Sequence, residues 1–332
     1  MSQASSNTQL DAVLSTRVRL ARNIDKIPFP VRLNSIEKQN VNFGICRFLS
    51  EKGCDLTLTE MSSLYPYEAI SLAERHLISP EFASASEGRV LLMSQNEEIS
   101  IMLCERDHLR IQCTKQGLQT QEAFEGAQVY DGLLSSGFRF AFDQKLGYLN
   151  QNPKDIGTGM KASVLMHLPA LSATGDMARI SATASKLGFS VRGSYGDGAS
   201  VKGDIFRISN TVTMGISENE ALTNLKTMAL QIATKERAAA EELIKDIGIR
   251  DRINRSAGII ENAVLMSSDE MMELLSWVRL GAVYGAVNAD IPLINKLFVS
   301  MQPATMNVLA KRKLTENERD EIRAKTVKQI FR

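Results

Sequence analysis

Cysteine is scarce in this sequence, and its spacing excludes several classes of protein. The 332 residues contain only four cysteines, Cys46, Cys54, Cys104 and Cys113. No two of them form a CxxC pair and no His/Cys spacing matches a zinc site, so we expect no bound metal. Since no secretory leader is recognisable either, we expect reduced thiols in a cytoplasmic protein.

Long apolar runs and an excess of one charge are also missing. No apolar stretch approaches the roughly 18 residues that a membrane-spanning helix needs. The 39 basic residues are balanced by 38 acidic ones, so a net charge of +1 provides no overall field for nucleic acid or a membrane surface. We expect neither as a partner. The glycine-rich ATP motifs GxxxxGK[ST] and GxGxxG with a kinase-type lysine and HRD loop are absent too.

Hydrophobic patterning predicts an α+β core followed by a helical C-terminal region. Residues 32–85 are patterned mostly as helix, and the runs RVLLMS, ISIMLC and HLRIQC (89–113) predict three antiparallel strands. Residues 118–134 have helical spacing, and GDIFRISN (203–210) is typical of a strand. Capping boxes that mark helix starts stand at Ser217–Glu220, Ser267–Glu270 and Thr315–Glu318. The core is expected to end near residue 245.

Arginines alternate with apolar residues in VLSTRVRLARN (13–23). On an extended strand, Arg17 and Arg19 point to one face, and Val18 and Leu20 point to the other. Like charges at this spacing repel each other, so an anion is expected between the arginines unless both point into open water.

Two further arginines stand at the ends of predicted strands. Arg110 lies in HLRIQC, and Arg192 directly precedes the glycine-rich loop GSYGDG. Because a guanidinium binds phosphate oxygens through two parallel hydrogen bonds, several converging arginines can hold a triphosphate without a P-loop. Taken singly, each arginine is more often a solvated strand-edge residue.

Seven ordered motifs extend over nearly the whole chain. They are STRVRLARN (15–23), ERHLISPEF (74–82), DHLRIQC (107–113), IGTGMKASVLMHLPAL (156–171), VRGSYGDG (191–198), DIFRISN (204–210) and NERDEIRA (317–324). Together they resemble the phosphagen (guanidino) kinase family, and within it the bacterial protein-arginine kinases of the McsB type. The resemblance implies an antiparallel catalytic sheet flanked by helices, and ATP with Mg²⁺ held mainly through the nucleotide.

The resemblance also implies which positions contact the nucleotide. They are Ser15, Thr16, Arg17, Val18, Arg19, His76, Arg110, Lys161, Ala162, Ser163, Val164, Leu165, Arg192, Gly193, Ser194, Tyr195, Gly196 and Asp197. Asp197 is also expected to be a catalytic carboxylate. His108, by contrast, is expected to be a structural histidine.

The sequence departs from the family pattern where the chemistry is expected. The family carries Asn-Glu-Glu-Asp-His at residues 104–108, and its second glutamate, the implied general base, is Arg106 here. A cation repels a cationic substrate and cannot accept its proton. Glu105 is adjacent but points to the opposite face of a strand, so it can be the catalytic carboxylate only if a bulge or turn re-aims it.

Further departures affect the phosphate contacts and the substrate loop. Lys161 replaces a family arginine, which keeps the charge but loses the two-pronged contact with phosphate. The family's Ser-Cys-Pro-Thr-Asn loop is Gln151–Asp155 here, and Asp197 replaces a glutamate, which shortens its reach by one methylene.

The C-terminal RDEIRA (319–324) is a second candidate anion site. Arg319 and Arg323 lie four residues apart on one helix face, and Arg319 lies near the positive N-terminal end. Such a pattern is usually a solvated charged face. The resemblance implies an allosteric phosphoarginine site of Arg319, Asp320, Arg323 and Ala324.

Three functions are compatible with these residues. The first is ATP-dependent phosphorylation of arginine side chains in proteins, which the ordered motifs favour. The second is a catalytically impaired pseudokinase that binds phosphoarginine as an adaptor, which Arg106 and Lys161 favour. A small-molecule guanidino kinase is third, and the helical C-terminal region argues against it.

The resemblance implies domains and partners as well. We expect a catalytic domain at 11–245, with a small helical part at about 30–85 and a sheet part at about 86–245, and a C-terminal domain at 246–332 for phosphoarginine binding and dimerisation. Expected partners are substrate proteins with exposed arginines, a zinc-binding activator and a Clp-type protease in protein quality control. The apolar stripe Met271, Leu274, Leu275, Val278 and Leu280 suits either a homodimer contact or an internal core.

Overall fold

The computed structural model describes residues 11–195 and 201–331, which form ten strands and twelve helices. Strands β1 to β10 are Val13–Arg22, Thr57–Glu60, Val90–Met93, Ile99–Leu103, Leu109–Gln116, Phe142–Asp143, Gly147–Tyr148, Met160–His167, Phe189–Gly193 and Ile205–Asn210. Helices α1 to α12 are Ser35–Glu51, Pro66–Glu74, Pro80–Ala83, Thr120–Gly137, Pro169–Ala173, Met177–Lys186, Glu218–Leu243, Ile247–Asn262, Ser268–Val283, Ile291–Ser300, Pro303–Leu309 and Glu316–Val327.

Eight strands form one sheet in the order β2-β3-β4-β5-β1-β8-β10-β9, and β6 pairs with β7 as a separate hairpin. From β2 through β5 to β1 each pair is antiparallel, as the sequence predicts for β3, β4 and β5. The register of β1 on β5 places Arg19 opposite Gln112 and Ala21 opposite Arg110. The arginines of the two strands are therefore near neighbours on the sheet.

The alternation predicted for β1 is confirmed. Val18 and Leu20 are fully buried, whereas Arg17 and Arg19 on the other face keep part of their surface exposed. Burying the apolar face of β1 orients the arginine face, because successive side chains of a strand point to opposite sides.

Strand β2 lies in the region that the sequence predicts as mostly helical. It pairs with β3 at the edge of the sheet, and Thr57, Leu58 and Glu60 are exposed. A strand with so little burial shows no apolar alternation, which is why the pattern does not reveal it.

The chain packs as two compact units that do not follow chain order. The first comprises Ser15–Ser163 and Ser209–Lys226; the second comprises Met1–Leu14, Val164–Ile208 and Thr227–Arg332. Within the first unit, Met61, Ile78 and Phe82 pack with Leu91 and Met102 of the sheet in a buried core.

The second unit buries helix α9 almost completely. Its stripe Met271, Leu274, Leu275, Val278 and Leu280 lies in the unit's own core, together with residues of α8 and α10. Of the two explanations that the sequence left open for this stripe, the structure supports the internal core. The stripe therefore gives no argument for a homodimer.

Candidate functional site

The arginine face of β1 lies against the backbone that follows helix α2. Arg17 donates a hydrogen bond to the carbonyl oxygen of His76 at 3.5 Å, and Gln112 Nε2 donates to the same oxygen at 3.0 Å. His76 itself has a φ of 60°, in the left-handed region. Arg17, Arg19, Arg110 and His76 thus meet in the first unit, as the sequence predicts, and Gln112 is a positioning residue that sequence reasoning missed.

Residues 104–108 form a turn between β4 and β5 rather than a continuous strand. Cys104 has a φ of 58°, and its N–H donates to the His108 carbonyl at 3.1 Å. The turn directs Glu105 inward, where the carboxylate is buried and accepts hydrogen bonds from Arg110 and Ser79. This orientation corrects the expectation that a strand would point Glu105 away.

Arg106 points outward from the same turn. Its side chain is 42% exposed and forms an ion pair with Glu81 of helix α3, which is 55% exposed. Its guanidinium therefore does not occupy the position beside Arg110, which Glu105 fills instead. Arg106 thus does not bring another cation into the site, although Glu105 matches only the first of the two glutamates in the family pattern.

The charges around Arg19 indicate a site built for an anion. The pKa of Arg19 is lowered to about 10, first by burial and then by the charge of Arg110. Three carboxylates, those of Asp155, Glu105 and Asp107, oppose this effect. Nε of Arg110 is buried and has no hydrogen-bond partner among the described residues. Phosphate oxygens would relieve both the repulsion between the cations and the unpaired donor.

Asp107 fixes the loop that follows β7. Its Oδ1 accepts hydrogen bonds from Asn23 Nδ2 at 2.7 Å and from the Gln151 N–H at 2.9 Å. Burial raises the pKa of Asp107, while these two hydrogen bonds and the charge of Arg110 act in the opposite direction. The sequence does not predict Asn23 and Asp107 as site residues. Both lie in motifs of the family resemblance, at 15–23 and 107–113, but the motifs do not indicate that these residues position the loop at 149–157.

His108 has the structural role that the sequence predicts. It is fully buried, its Nδ1 accepts from the Ile24 N–H at 3.1 Å, and its Nε2 lies 2.9 Å from the Pro28 carbonyl oxygen, to which it donates. Both ring nitrogens are used, and burial lowers the pKa of His108, so the neutral ring is favoured.

Several residues expected to contact the nucleotide have no solvent-exposed surface. Thr16, Val18, Ala162 and Val164 are completely buried. Thr16 Oγ1 instead donates to the Gly117 carbonyl at 2.6 Å, and the Ala162 N–H donates to Asn210 Oδ1 at 2.8 Å. In the structure these side chains pack against their neighbours, and a contact of these positions with a nucleotide stays a prediction. Ser15 and Lys161 are partly exposed, whereas Ser163 is buried and its Oγ lies 3.5 Å from the Arg17 carbonyl oxygen.

The remaining predicted nucleotide contacts belong to the second unit. Leu165 is buried in its core, Arg192 is exposed, Gly193 is partly exposed, and Ser194 Oγ accepts from Arg207 at 3.3 Å. Tyr195 is buried, and Gly196 and Asp197 lie outside the described residues.

Arg207 adds a partly exposed cation that the sequence did not single out. Burial lowers the pKa of this guanidinium to about 10.

The four residues predicted to bind phosphoarginine differ in how exposed they are and in the contacts they make. Arg323 is fully buried and donates to the carbonyl oxygens of Met266 at 2.6 Å and Met301 at 3.1 Å, and to Asp320 at 2.6 Å. Arg323 therefore ties helix α12 to the segments before α9 and after α10. Ala324 is completely buried and packs in the core, and its part in a phosphoarginine site stays a prediction.

Arg319 is the accessible cation of this group. Its side chain is partly exposed, and NH1 donates to the Leu314 carbonyl at 2.8 Å. The helix begins with a complete capping box of Thr315 and Glu318, as predicted.

Neither a metal centre nor a membrane span is indicated in the parts of the chain that the structure covers. No group of three or more His, Cys, Asp or Glu side chains there could hold a metal ion. No described helix is both long and apolar enough to cross a bilayer.

Two family models match consecutive parts of the chain. The model "ATP:guanido phosphotransferase, C-terminal catalytic domain" matches residues 39–239, and "Protein-arginine kinase McsB C-terminal domain" matches residues 246–332. Two curated relatives, both named protein-arginine kinase, are 42% identical to the chain. The one from Halothermothrix orenii is matched over 98% of this chain and 94% of its own length. The one from Geobacillus stearothermophilus is matched over 100% and 93%.

Solved structures of two phosphagen kinases share the fold. Lombricine kinase has a TM-score of 0.59 at 24% identity and covers 68% of this chain and 66% of its own. The duplicated taurocyamine kinase of Schistosoma mansoni has a TM-score of 0.63 at 20% identity and covers 77% of this chain and 39% of its own.

Proposed function

Because the chain belongs to the ATP:guanido phosphotransferase family, we propose that it is a protein-arginine kinase. In this proposal it transfers the γ-phosphoryl group of ATP to arginine side chains of proteins. The full-length similarity to proteins of that name supports the acceptor, and the C-terminal match supports the same subfamily.

One observation carries the proposal at the level of the site. In the first unit, burial and then the nearby charge of Arg110 lower the pKa of Arg19, and three carboxylates are close enough to oppose that effect. Phosphoryl transfer to an arginine needs this combination, because an anionic donor and a cationic acceptor must be held side by side. The cations suit the phosphates, and the carboxylates suit the acceptor guanidinium.

Each residue of the site has a proposed role in the transfer. Arg17, Arg19 and Arg110 bind phosphate oxygens and reduce the charge that moves in the transfer. Glu105, buried against Arg110 and Ser79, holds the Arg110 guanidinium in place, and Asp197 is the carboxylate that orients the acceptor guanidinium and accepts its proton. ATP supplies the phosphoryl group, and Mg²⁺ would be held mainly through the nucleotide.

A phosphoarginine assay tests the proposal. The full chain is incubated with Mg-ATP and an unfolded, arginine-rich protein, and acid-labile phosphoarginine is measured by mass spectrometry. We expect ATP-dependent modification of arginines, and no turnover of free arginine to a phosphagen. Turnover of free arginine alone would support the small-molecule kinase instead.

The pseudokinase alternative has lost most of its support. The curated relatives are named as kinases, and Arg106, its main motivation, pairs with Glu81 at the surface. Lys161 still replaces an arginine, which we expect to slow transfer without preventing it.

Finer features of the proposal rest on family resemblance. We propose a catalytic domain ending near 245, a C-terminal domain at 246–332 that binds phosphoarginine, and work in cytoplasmic protein quality control and the stress response. Substrate proteins with exposed arginines, a zinc-binding activator, a Clp-type protease and a second copy of the chain are the proposed partners.

A further inference from the structure

The hairpin of β6 and β7 exposes large apolar side chains next to the candidate site. Phe142 is 58% exposed and Leu146 is 44% exposed. From the segment after β10, Val212 and Met214 add exposures of 46% and 49%. We call these four residues the hairpin surface. Exposed apolar groups on neighbouring segments of a surface commonly mark a binding site.

Close backbone packing joins the two segments. Gly157 pairs with Tyr148 of β7, and the Thr158 N–H donates to the Thr213 carbonyl at 2.9 Å. A Cβ added to Gly157 would lie 2.1 Å from that carbonyl oxygen and 2.9 Å from Met214 Cα. Only glycine permits this approach, so the hairpin and the Met214 segment are held against one another.

The hairpin is also fixed to the sheet. The Arg22 guanidinium lies 3.5 Å from the centroid of the Tyr148 ring and pairs with Asp131 at 2.9 Å. Tyr148 in turn contacts Phe142 edge to face, with ring centroids 5.2 Å apart. The exposed Phe142 is thus held by a buried anchor, and a preorganised apolar group loses little conformational entropy on binding.

The hairpin surface continues into the acidic part of the candidate site. Residues 149–157 lead from Tyr148 to Gly157, and the Gln151 N–H in this loop binds Asp107. Asp155, in the same loop, is close enough to Arg19 to affect its pKa. Thr213 Oγ1 donates to the Lys154 carbonyl at 2.9 Å, so the loop also contacts the Met214 segment.

We propose that the hairpin surface binds the apolar residues that flank the acceptor arginine in a substrate protein. This inference rests on the proposed function and adds a docking surface for its substrates. The partly exposed carboxylate of Asp155 complements the cationic arginine, while Phe142, Leu146, Val212 and Met214 complement apolar neighbours. In folded proteins such neighbours are mostly buried, so the surface favours unfolded chains over native ones.

Two labelled 15-residue peptides test the proposal, each with one arginine flanked either by Leu, Val and Phe or by Ser. Their affinities for the full chain are measured by fluorescence anisotropy without ATP, and KM and kcat are measured with Mg-ATP. The test variant is Phe142→Ser/Met214→Ser. The matched control is Ile36→Ser/Phe43→Ser, because both of these residues are 68% exposed and belong to the same unit.

We expect the wild type to bind the apolar-flanked peptide about fivefold to twentyfold more tightly than the Ser-flanked one. The test variant should lose this preference through a higher Kd and KM with little change in kcat, and the control should keep it. Equal affinities in the wild type, or an equal loss in the control, would overturn the proposal.

Two further outcomes separate the inference from its premise. Loss of peptide preference in the test variant without any phosphoarginine formation by the wild type would support the surface and contradict the proposed function. If the variant converts a dimer to a monomer in sedimentation while peptide affinity is unchanged, the surface binds a second copy and the proposal fails.

Discussion

At the scale of single residues, the turn after β4 decides the chemistry that the site can support. Glu105 and Arg106 are adjacent, but the left-handed Cys104 starts a turn that buries the first and exposes the second. A buried carboxylate paired with Arg110 can interact with a guanidinium, whereas a solvated Arg106–Glu81 pair contributes little.

Substitutions in this turn should therefore have unequal effects. Glu105→Gln should reduce kcat by about 100-fold or more, because the amide leaves the buried Arg110 without the charged partner that holds it. Arg106→Ala should change kcat by less than about threefold. The double variant Arg106→Glu/Lys161→Arg should likewise have a kcat within about threefold of that of Lys161→Arg alone. The measurement is the initial rate of phosphoarginine formation; a large gain from Arg106→Glu would show that Arg106 does obstruct the reaction.

The two C-terminal arginines make a second comparison. Arg319→Ala should leave the melting temperature nearly unchanged but remove the stabilisation that free phosphoarginine gives the wild type in a thermal shift experiment. Arg323→Ala should lower stability by about 3 kcal/mol, because it leaves two buried carbonyls and Asp320 without their donor. A phosphoarginine-dependent shift that survives Arg319→Ala would contradict this division.

The sequence predicts the part of this site that depends on local alternation. It does not predict the part that depends on single backbone angles and on contacts between distant segments. Arg17, Arg19 and Arg110 were found because alternation and β-strand direction follow from local sequence. The inward Glu105 depends on one positive φ, and the contacts of Asp107 and Gln112 join segments far apart in the chain. No local pattern records such contacts.

At the scale of structural elements, the loop at 149–157 depends on glycine. Gly157 has a φ of 110° and packs directly on the Thr213 carbonyl. The same pairing positions the substrate loop and the hairpin surface.

Gly157→Ala should displace this loop. A Cβ would both strain the backbone and overlap Thr213, so we expect a loss of stability of about 2–4 kcal/mol and a kcat/KM lower by about tenfold or more. Urea unfolding and kinetics measure the two effects. Gly53→Ala is the control, because Gly53 also has a positive φ but open space around its Cβ. Equal stability losses in the two variants would mean that the contact with Thr213 is unimportant.

Prediction of elements succeeded wherever burial is one-sided. Strands β3, β4 and β5, helix α4 and the capped helix α7 all show clear sequence patterns of apolar residues. Strand β2 did not, because its residues are mostly exposed. For helix α9 the apolar stripe was recognised, but only the structure shows that α8 and α10 cover it.

At the scale of the whole molecule, stability should depend on pH through Glu236. Its two oxygens accept the N–H groups of Ala170 at 2.8 Å and Leu171 at 2.9 Å. Burial raises the pKa of Glu236 to about 7, although these hydrogen bonds act in the opposite direction. Between the unfolded pKa and about 7, the folded protein binds the proton that the unfolded chain releases, so stability falls as pH rises through this window.

Glu236→Gln should remove this dependence. Relative to the wild type, the variant should gain about 1–3 kcal/mol in free energy of unfolding between pH 5 and pH 8, because glutamine does not titrate. Urea unfolding at several pH values measures the difference. The exposed Glu241→Gln is the control and should show no such trend; a pH-independent difference for Glu236→Gln would contradict the shifted pKa.

We infer that the protein transfers the γ-phosphoryl group of ATP to arginine side chains, with the acidic and basic groups around Glu105 and Arg110 as its site. The most direct test of this inference is mass spectrometric detection of phosphoarginine on an unfolded substrate protein incubated with Mg-ATP and either the wild type or Glu105→Gln. The account predicts modified arginines with the wild type and almost none with the variant. Equal modification by both proteins, or none by either while a relative modifies the same substrate, would contradict it.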